Sequence, residues 1–255
     1  MEKLKLSDKS RKFLDDLNVY LFSSGKKEEE IKDIVEELEA HLYEAELDGK
    51  PIEQIVGESP KQYMAMISKE MNIDYTAWAK YIPIIVFGVM AFMIIGDVLE
   101  GPLSYSLLQI IGTIVTCLLF IFGVFITFRY VSYHDLSKKV EFMMIILPIS
   151  ISMLLFILIQ IVNRIYETPS VEIGGLGSIL LGIIALILLI GMSLWGKTAV
   201  MLVVLIALHL PAILLSLTTL QEETQLISSI VITYIIIGLY FYGTFKKMKK
   251  EEKSV

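Results

Sequence analysis

Residues 106–128 read SLLQIIGTIVTCLLFIFGVFITF, a stretch without a charged side chain. A helix needs about 20 such residues to cross the ~30 Å hydrocarbon core of a bilayer, and it satisfies its backbone polar groups internally. On both sides of this stretch, further apolar runs of similar length lie between residues 79 and 245. The sequence therefore predicts an all-α fold with a six-helix transmembrane bundle (residues 75–245), whose spans are 79–98, 106–128, 141–162, 175–195, 198–219 and 225–245.

Charged residues in the short loops predict the orientation of these helices, because Lys and Arg near helix ends stay on the cytoplasmic side. One set of helix ends carries Lys80, Arg129, Lys138, Lys139, Lys197, Lys246, Lys247, Lys249 and Lys250. The opposite ends carry Asp97, Glu100, Glu167, Glu172, Glu222 and Glu223, with Arg164 as their one basic residue. We therefore expect a multi-pass protein of the cell membrane, with both termini and a basic tail (246–255) in the cytoplasm. The turn at 195–197 also allows spans four and five to form one long buried hairpin.

Composition supports a membrane protein and excludes several other classes. Hydrophobic residues make up 55% of the chain and the mean hydropathy is +0.67, which is excessive for a soluble domain. The charged N-terminus lacks the apolar region of a cleavable signal peptide, so we expect the first span to act as a signal anchor. Cys117 is the single cysteine, which excludes a disulfide or a thiolate cluster within one chain.

Residues 1–74, here called the headpiece, differ sharply from the rest of the chain. Their Asp and Glu residues outnumber Lys and Arg, and this acidic balance argues against direct nucleic-acid binding. Cap residues and helical spacing predict helices that start near Asp8, Lys27, Pro51 and Pro60. Their predicted core consists of Phe13, Leu14, Leu17, Tyr20, Leu21, Ile31, Ile34, Val35, Leu38, Leu42, Ala45, Tyr63, Met66 and Ile67. So small a core favours docking on the membrane helices or on a second copy in a homo-oligomer.

Four segments of the headpiece resemble a known family. They are residues 10–17 (SRKFLDDL), 24–26 (SGK), 36–42 (EELEAHL) and 57–64 (GESPKQYM). Over residues 4–71 the chain resembles the HAAS-type signalling domain at the N-terminus of multi-span membrane proteins of Gram-positive bacteria. Relatives are often associated with PadR-like transcriptional regulators, so the resemblance implies a signalling or regulatory role and brings no catalytic residue. The multi-span half suggests no family by its sequence.

The second headpiece helix is predicted to carry a partner-docking surface. We call this surface the acidic face, and it consists of Glu36, Glu37, Glu39, His41, Glu44 and Glu46. Exposed charges of this kind control association rate and partner choice, so a cytoplasmic protein with a basic surface is expected. Two alternatives remain: the acids only keep the domain soluble, or a strip of Glu37, His41, Glu44 and Asp48 binds a divalent metal or responds to pH.

Two polar positions in the spans are candidates for an intramembrane site. His209 lies two residues before Pro211, which frees the carbonyl four residues before it. Either the neutral histidine or a nearby hydroxyl then satisfies this carbonyl and stabilises a proline kink, or His209 forms a proton or ligand site. Gln160 belongs with Asn163 and Arg164 to a shallower group, which we interpret as side chains reaching the headgroups.

These observations favour a non-enzymatic membrane signalling or regulatory protein whose headpiece docks a cytoplasmic protein. The sequence shows no phosphate loop, no acid pair within a span and no Ser–His–Asp or Cys–His grouping, so we expect no catalytic residue, no cofactor and no bound metal. The alternative is a transport-related subunit, either a permease-like partner of a separate ATPase or an exporter of small molecules. Energy would then have to come from another chain.

Overall fold

The computed structural model describes residues 6–57, 59–166 and 168–252, and it is almost entirely helical. Its elements are α1 (Asp8–Ser23), α2 (Glu28–Leu47), α3 (Glu53–Val56), α4 (Pro60–Glu70), α5 (Tyr75–Glu100), β1 (Ser104–Ser106), α6 (Leu107–Tyr133), α7 (Lys138–Ile165), β2 (Ser170–Glu172), α8 (Gly175–Trp195), α9 (Val200–Ser216) and α10 (Glu222–Glu252). The all-α prediction is confirmed, with one short two-stranded sheet of β1 and β2 added. Several positions used above lie outside the described residues: 1–5, Glu58, Glu167, 253–255 and the side chains of Lys249 and Lys250.

The chain divides into two compact units. The first contains Met1–Val86 and Ser106–Pro169, and the second contains Phe87–Tyr105 and Ser170–Val255. The headpiece therefore belongs to the same unit as the start of α5 and all of α6 and α7.

In the headpiece, α1, α2, α3 and α4 close a small apolar core. Ser7 caps α1, since its hydroxyl accepts a hydrogen bond from the backbone N–H of Ser10 at 3.3 Å. Ser59 caps α4 in the same way, and Pro60 occupies the first turn. The fully buried core residues include Leu17, Leu21 and Leu42, all on predicted apolar faces. Helical spacing therefore predicted this core correctly on α1 and α2.

The buried face of α4 differs from the prediction. Met66 is 51% exposed, whereas Met64 is buried at 3% exposure and joins the headpiece core. Tyr63 and Ile67 pack against that core as half-buried residues. The core-facing stripe is therefore centred on Met64, one turn before Ser68, which is also buried.

Five helices are long and apolar enough to cross a membrane: α5, α6, α7, α8 and the Glu222–Lys247 part of α10. Helix α9 is shorter, at 17 residues, and its length of about 26 Å falls below the ~30 Å hydrocarbon core. Most apolar side chains on the five long helices face outward, as they do where lipid is the solvent. Helix α6 extends beyond the predicted end at residue 128 to Tyr133, and α10 continues through Glu252, so most of the basic tail is helical.

The second unit combines a small apolar centre with close contacts at small residues. Its buried centre consists of Ala91, Ala185, Leu189 and Leu205. A Cβ atom added to Gly182 would lie 3.0 Å from Val98, so the absence of a side chain there allows α5 and α8 to approach closely. Buried Ser178 accepts a hydrogen bond from the backbone N–H of Leu103 at 2.8 Å. Ser178 and Gly182, four residues apart on α8, thus form a packing surface for the neighbouring chain segments.

Candidate functional site

The members of the acidic face lie beside and opposite the buried stripe of α2. Glu36, Glu37, His41 and Glu44 are exposed, and Glu39 is half-buried. Glu36 forms only a surface ion pair with Lys32, with 3.7 Å between the charged atoms, and such pairs contribute little stability. Most of this face therefore presents negative charge to solvent.

Glu46, in contrast, binds the start of α1. Its carboxylate accepts hydrogen bonds from the backbone N–H of Ser7 at 2.8 Å and from the hydroxyl of Ser10 at 2.6 Å. The Ser7 hydroxyl donates to the same carboxylate. The hydrogen bonds from Ser10 and Ser7 lower the pKa of Glu46. Glu46 thus holds α1 against α2, and a partner would have to compete with these bonds to bind it.

The structure does not bring together a metal site on this helix. Asp48, the last member of the predicted strip, pairs with Lys50 at 2.8 Å. Within residues 6–57, 59–166 and 168–252, no group of three or more His, Cys, Asp and Glu side chains could hold a metal ion.

The headpiece packs directly on α6 through aromatic rings. Tyr20 lies 5.6 Å from Tyr133 and Phe22 lies 5.7 Å from Phe125, measured between ring centroids. The Arg129 guanidinium lies over the Tyr20 ring at 5.5 Å. These contacts place α1 along the last three turns of α6, and we call this contact region the junction.

Trp78 in the first turn of α5 completes the junction. Its ring centroid lies 4.5 Å from that of Phe125, and the ring also stacks on Phe122. Gly25 packs so closely against it that an added Cβ would lie 2.5 Å from Trp78 Nε1. Trp78 therefore joins the headpiece to both α5 and α6.

A charged group borders the junction where α1 meets the loop after α6. Lys12 on α1 pairs with Asp135 at 2.5 Å, across an exposed surface. Asp16, one turn further along α1, is half-buried, and burial raises its pKa to about 6. Lys12 opposes that rise in pKa, whereas Asp15, Glu141 and Asp135 add to it. Residue spacing alone did not reveal this environment, because Asp135 and Glu141 come from distant parts of the chain.

Within the spans, the carbonyl freed by Pro211 is satisfied by a residue that the sequence pattern did not single out. The hydroxyl of Thr233 on α10 donates to the backbone oxygen of Ala207 at 2.6 Å. His209 lies instead beside Gly96, where an added Cβ would be 3.1 Å from the His209 ring. The hydroxyl alternative for the kink is therefore observed, and the role of His209 as a proton or ligand site stays a prediction.

Gln160 takes part in a bridge between α6 and α7. Its side-chain oxygen accepts a hydrogen bond from Gln109 at 3.3 Å. Close by, the hydroxyl of Ser106 donates to Asn163 at 2.5 Å. These two hydrogen bonds join the start of α6 to α7 and stabilise the pair. The interpretation that Gln160, Asn163 and Arg164 reach the headgroups stays a prediction.

Two family models match separate parts of the chain. The HAAS family model matches residues 12–65, which run from α1 into α4. A second model, described as the HAAS transmembrane region, matches residues 92–207, which run from α5 into α9. No curated protein shows a significant match, and no solved structure shows one either.

Proposed function

Because the chain carries a HAAS domain followed by a HAAS transmembrane region, we propose that it is a non-enzymatic membrane signalling or regulatory protein whose headpiece docks a cytoplasmic protein. The observation that carries this proposal is the junction. Tyr20 and Phe22 pack on α6 from the same helix, α1, whose other face forms the headpiece core with α2. A partner on α2 is thus linked to a membrane helix through packed side chains rather than through a loose tether.

The partner is expected to present a basic surface. Glu37 and Glu44 are exposed on the solvent side of α2, and neither forms an ion pair within the described part of the chain. Attraction between exposed charges increases the association rate and weakens with salt. We therefore expect the complex to lose affinity as ionic strength rises.

Charge reversal on the acidic face tests this proposal. The double variant Glu37→Lys, Glu44→Lys should abolish co-purification of the cytoplasmic partner from native membranes. The control variant, Glu29→Lys with Glu70→Lys, makes the same change in charge at exposed positions at the start of α2 and the end of α4. Glu46 stays unchanged in both, because its loss would disturb α1.

The two variants must both be folded and inserted, which circular dichroism and membrane fractionation establish. The acidic face is not the docking surface if the double variant Glu37→Lys, Glu44→Lys retains the partner with the same yield and salt sensitivity as the control variant.

The proposed topology has six spans with both termini in the cytoplasm. It rests on the loop charges and on the junction, since the headpiece contacts the end of α6 that carries Arg129. With Cys117 removed, single cysteines at Gly101 and Glu222 should react with an impermeant thiol reagent in intact cells. A cysteine at Lys138 should not react. Labelling at that position would show that the orientation is the reverse of the proposed one.

A transport-related subunit is the second candidate. It is favoured by His209, because Thr233 rather than this histidine satisfies the carbonyl of Ala207. The histidine is then available for a proton or a ligand within the membrane. Co-purification of an ATPase subunit, retained by the acidic-face variant and lost in His209→Phe, would support this function over docking.

A further inference from the structure

An open cavity of about 420 Å³ lies at the junction, between the headpiece and the membrane helices α5 and α6. We call it the junction groove. Phe22 and Lys26 line it from the headpiece, Trp78 and Ile85 line it from α5, and Phe125 lines it from α6. None of these residues belongs to the acidic face, so the junction groove is separate from the proposed docking surface.

The junction groove changes from polar to apolar along α5. Its rim contains Lys26, Glu28 and Asp74, and its other end contains Ile85 and Ile121. Asp74 and Ile85 are 11 residues apart, which is about 16 Å along a helix. Aromatic Trp78 lies between them, as is typical at the boundary of a bilayer. One end of the groove therefore lies at headgroup depth and the other end within the hydrocarbon core.

Lys26 supplies positive charge at the rim without an ion pair in the described part of the chain. Its ammonium group donates to the backbone oxygen of Met71 at 2.8 Å. Burial and the neighbouring Arg129 both lower the pKa of Lys26. A phosphate group beside Lys26 would offset both effects, because an opposite charge favours the protonated ammonium.

Negative charge lies at the same rim. Glu28 is exposed in the first turn of α2, and Asp74 accepts a hydrogen bond from the backbone N–H of Ala77 at 2.9 Å. A ligand that complements this rim carries an anion for Lys26 and a cation for Glu28 and Asp74. It also carries an apolar chain for the surface beside Ile85.

We propose that the junction groove binds one aminophospholipid, with its phosphate at Lys26, its ammonium group at Glu28 and Asp74, and an acyl chain along Ile85 and Ile121. A phosphatidylglycerol molecule lacks the ammonium group and brings no cation to the two carboxylates. The bound lipid contacts the headpiece and both membrane helices, so it stabilises the junction. This inference does not depend on the docking of a cytoplasmic protein.

Native mass spectrometry of the full chain in detergent tests the proposal, with phosphatidylethanolamine and phosphatidylglycerol added in turn. The wild type should retain phosphatidylethanolamine about tenfold better, which is the effect of one charged hydrogen bond. Glu28→Gln, at an exposed position, should reduce that preference without reducing the phosphatidylglycerol bound.

A pair of tryptophan variants locates the lipid. Ile85→Trp fills the apolar end of the groove and should reduce phosphatidylethanolamine retention about tenfold. Phe87→Trp, two residues along α5 at a side chain 56% exposed and outside the groove lining, should leave it unchanged. Equal retention of the two lipids by the wild type, or equal retention by the two tryptophan variants, would overturn the proposal. Glu28→Gln keeps the test decisive if Ile85→Trp fails to fold.

Discussion

Gly25→Ala should separate the headpiece from the membrane helices. Gly25 has a φ of +73°, where an L-residue costs about 1–2 kcal/mol. An added Cβ would also lie 2.5 Å from Trp78 Nε1, and overpacking of this kind typically costs about 1–3 kcal/mol. We therefore expect Gly25→Ala to destabilise the junction by about 2–5 kcal/mol.

Gly49→Ala is the matched control. Gly49 has nearly the same φ, +72°, but nothing lies within 4 Å of its added Cβ. Gly49→Ala should therefore cost only the backbone strain of a positive φ, about 1–2 kcal/mol. The difference between the two variants isolates the contact with Trp78.

Urea unfolding in detergent, followed by the fluorescence of Trp78 in a Trp195→Phe background, measures both variants. Gly25→Ala should also shift the Trp78 emission, because the ring loses its packing against the headpiece. In a Trp78→Leu background, with unfolding followed by circular dichroism, the two alanine variants should become similar. Equal destabilisation by Gly25→Ala and Gly49→Ala with Trp78 present would refute the close contact.

Three further results are expected. Leu38→Ala should cost about 2–5 kcal/mol in a circular dichroism melt, whereas Leu47→Ala, at a 70% exposed side chain, should change little. Burial raises the pKa of Asp16 to about 6, whereas an unfolded Asp has a pKa near 4. Between these pH values the Asp16 carboxyl holds its proton in the folded protein and loses it in the unfolded chain. Stability should therefore fall as pH rises from about 4 to 6, and Asp16→Asn should flatten this dependence and raise the urea midpoint at pH 7. Thr233→Val should cost about 0.6–1.7 kcal/mol in thermal melts by leaving the carbonyl of Ala207 unpaired.

Local patterns predicted most of the fold. Residues 7–10 and 59–62 contain their own cap signals, and helical spacing identified Leu17, Leu38 and Leu42 as core residues. These features depend on neighbours a few residues apart, which a single sequence displays. Met64 shows the limit of such patterns. In an 11-residue helix the pattern allows either Met64 or Met66 on the buried face, and the packing of α4 against α1 decides between them.

The candidate sites depended more on distant parts of the chain. Glu46 looks like any other acid on α2, and only the approach of Ser7 and Ser10 reveals its structural role. Likewise, Thr233 and Ala207 are 26 residues apart, and nothing in either sequence neighbourhood predicts their hydrogen bond. The exposed position of Glu37 and Glu44, in contrast, follows from helical periodicity alone.

The hydrogen bond between Thr233 and Ala207 has a consequence for biogenesis. During synthesis α9 leaves the ribosome before α10, so the carbonyl that Pro211 exposes reaches the membrane before its donor Thr233 does. The 17-residue α9 is also the shortest of the apolar helices. Release of α9 alone from the insertion machinery is therefore unfavourable, and the two helices should enter the bilayer as a hairpin. Loss of the donor in Thr233→Val should therefore keep α9 within reach of crosslinking to the translocation channel for longer.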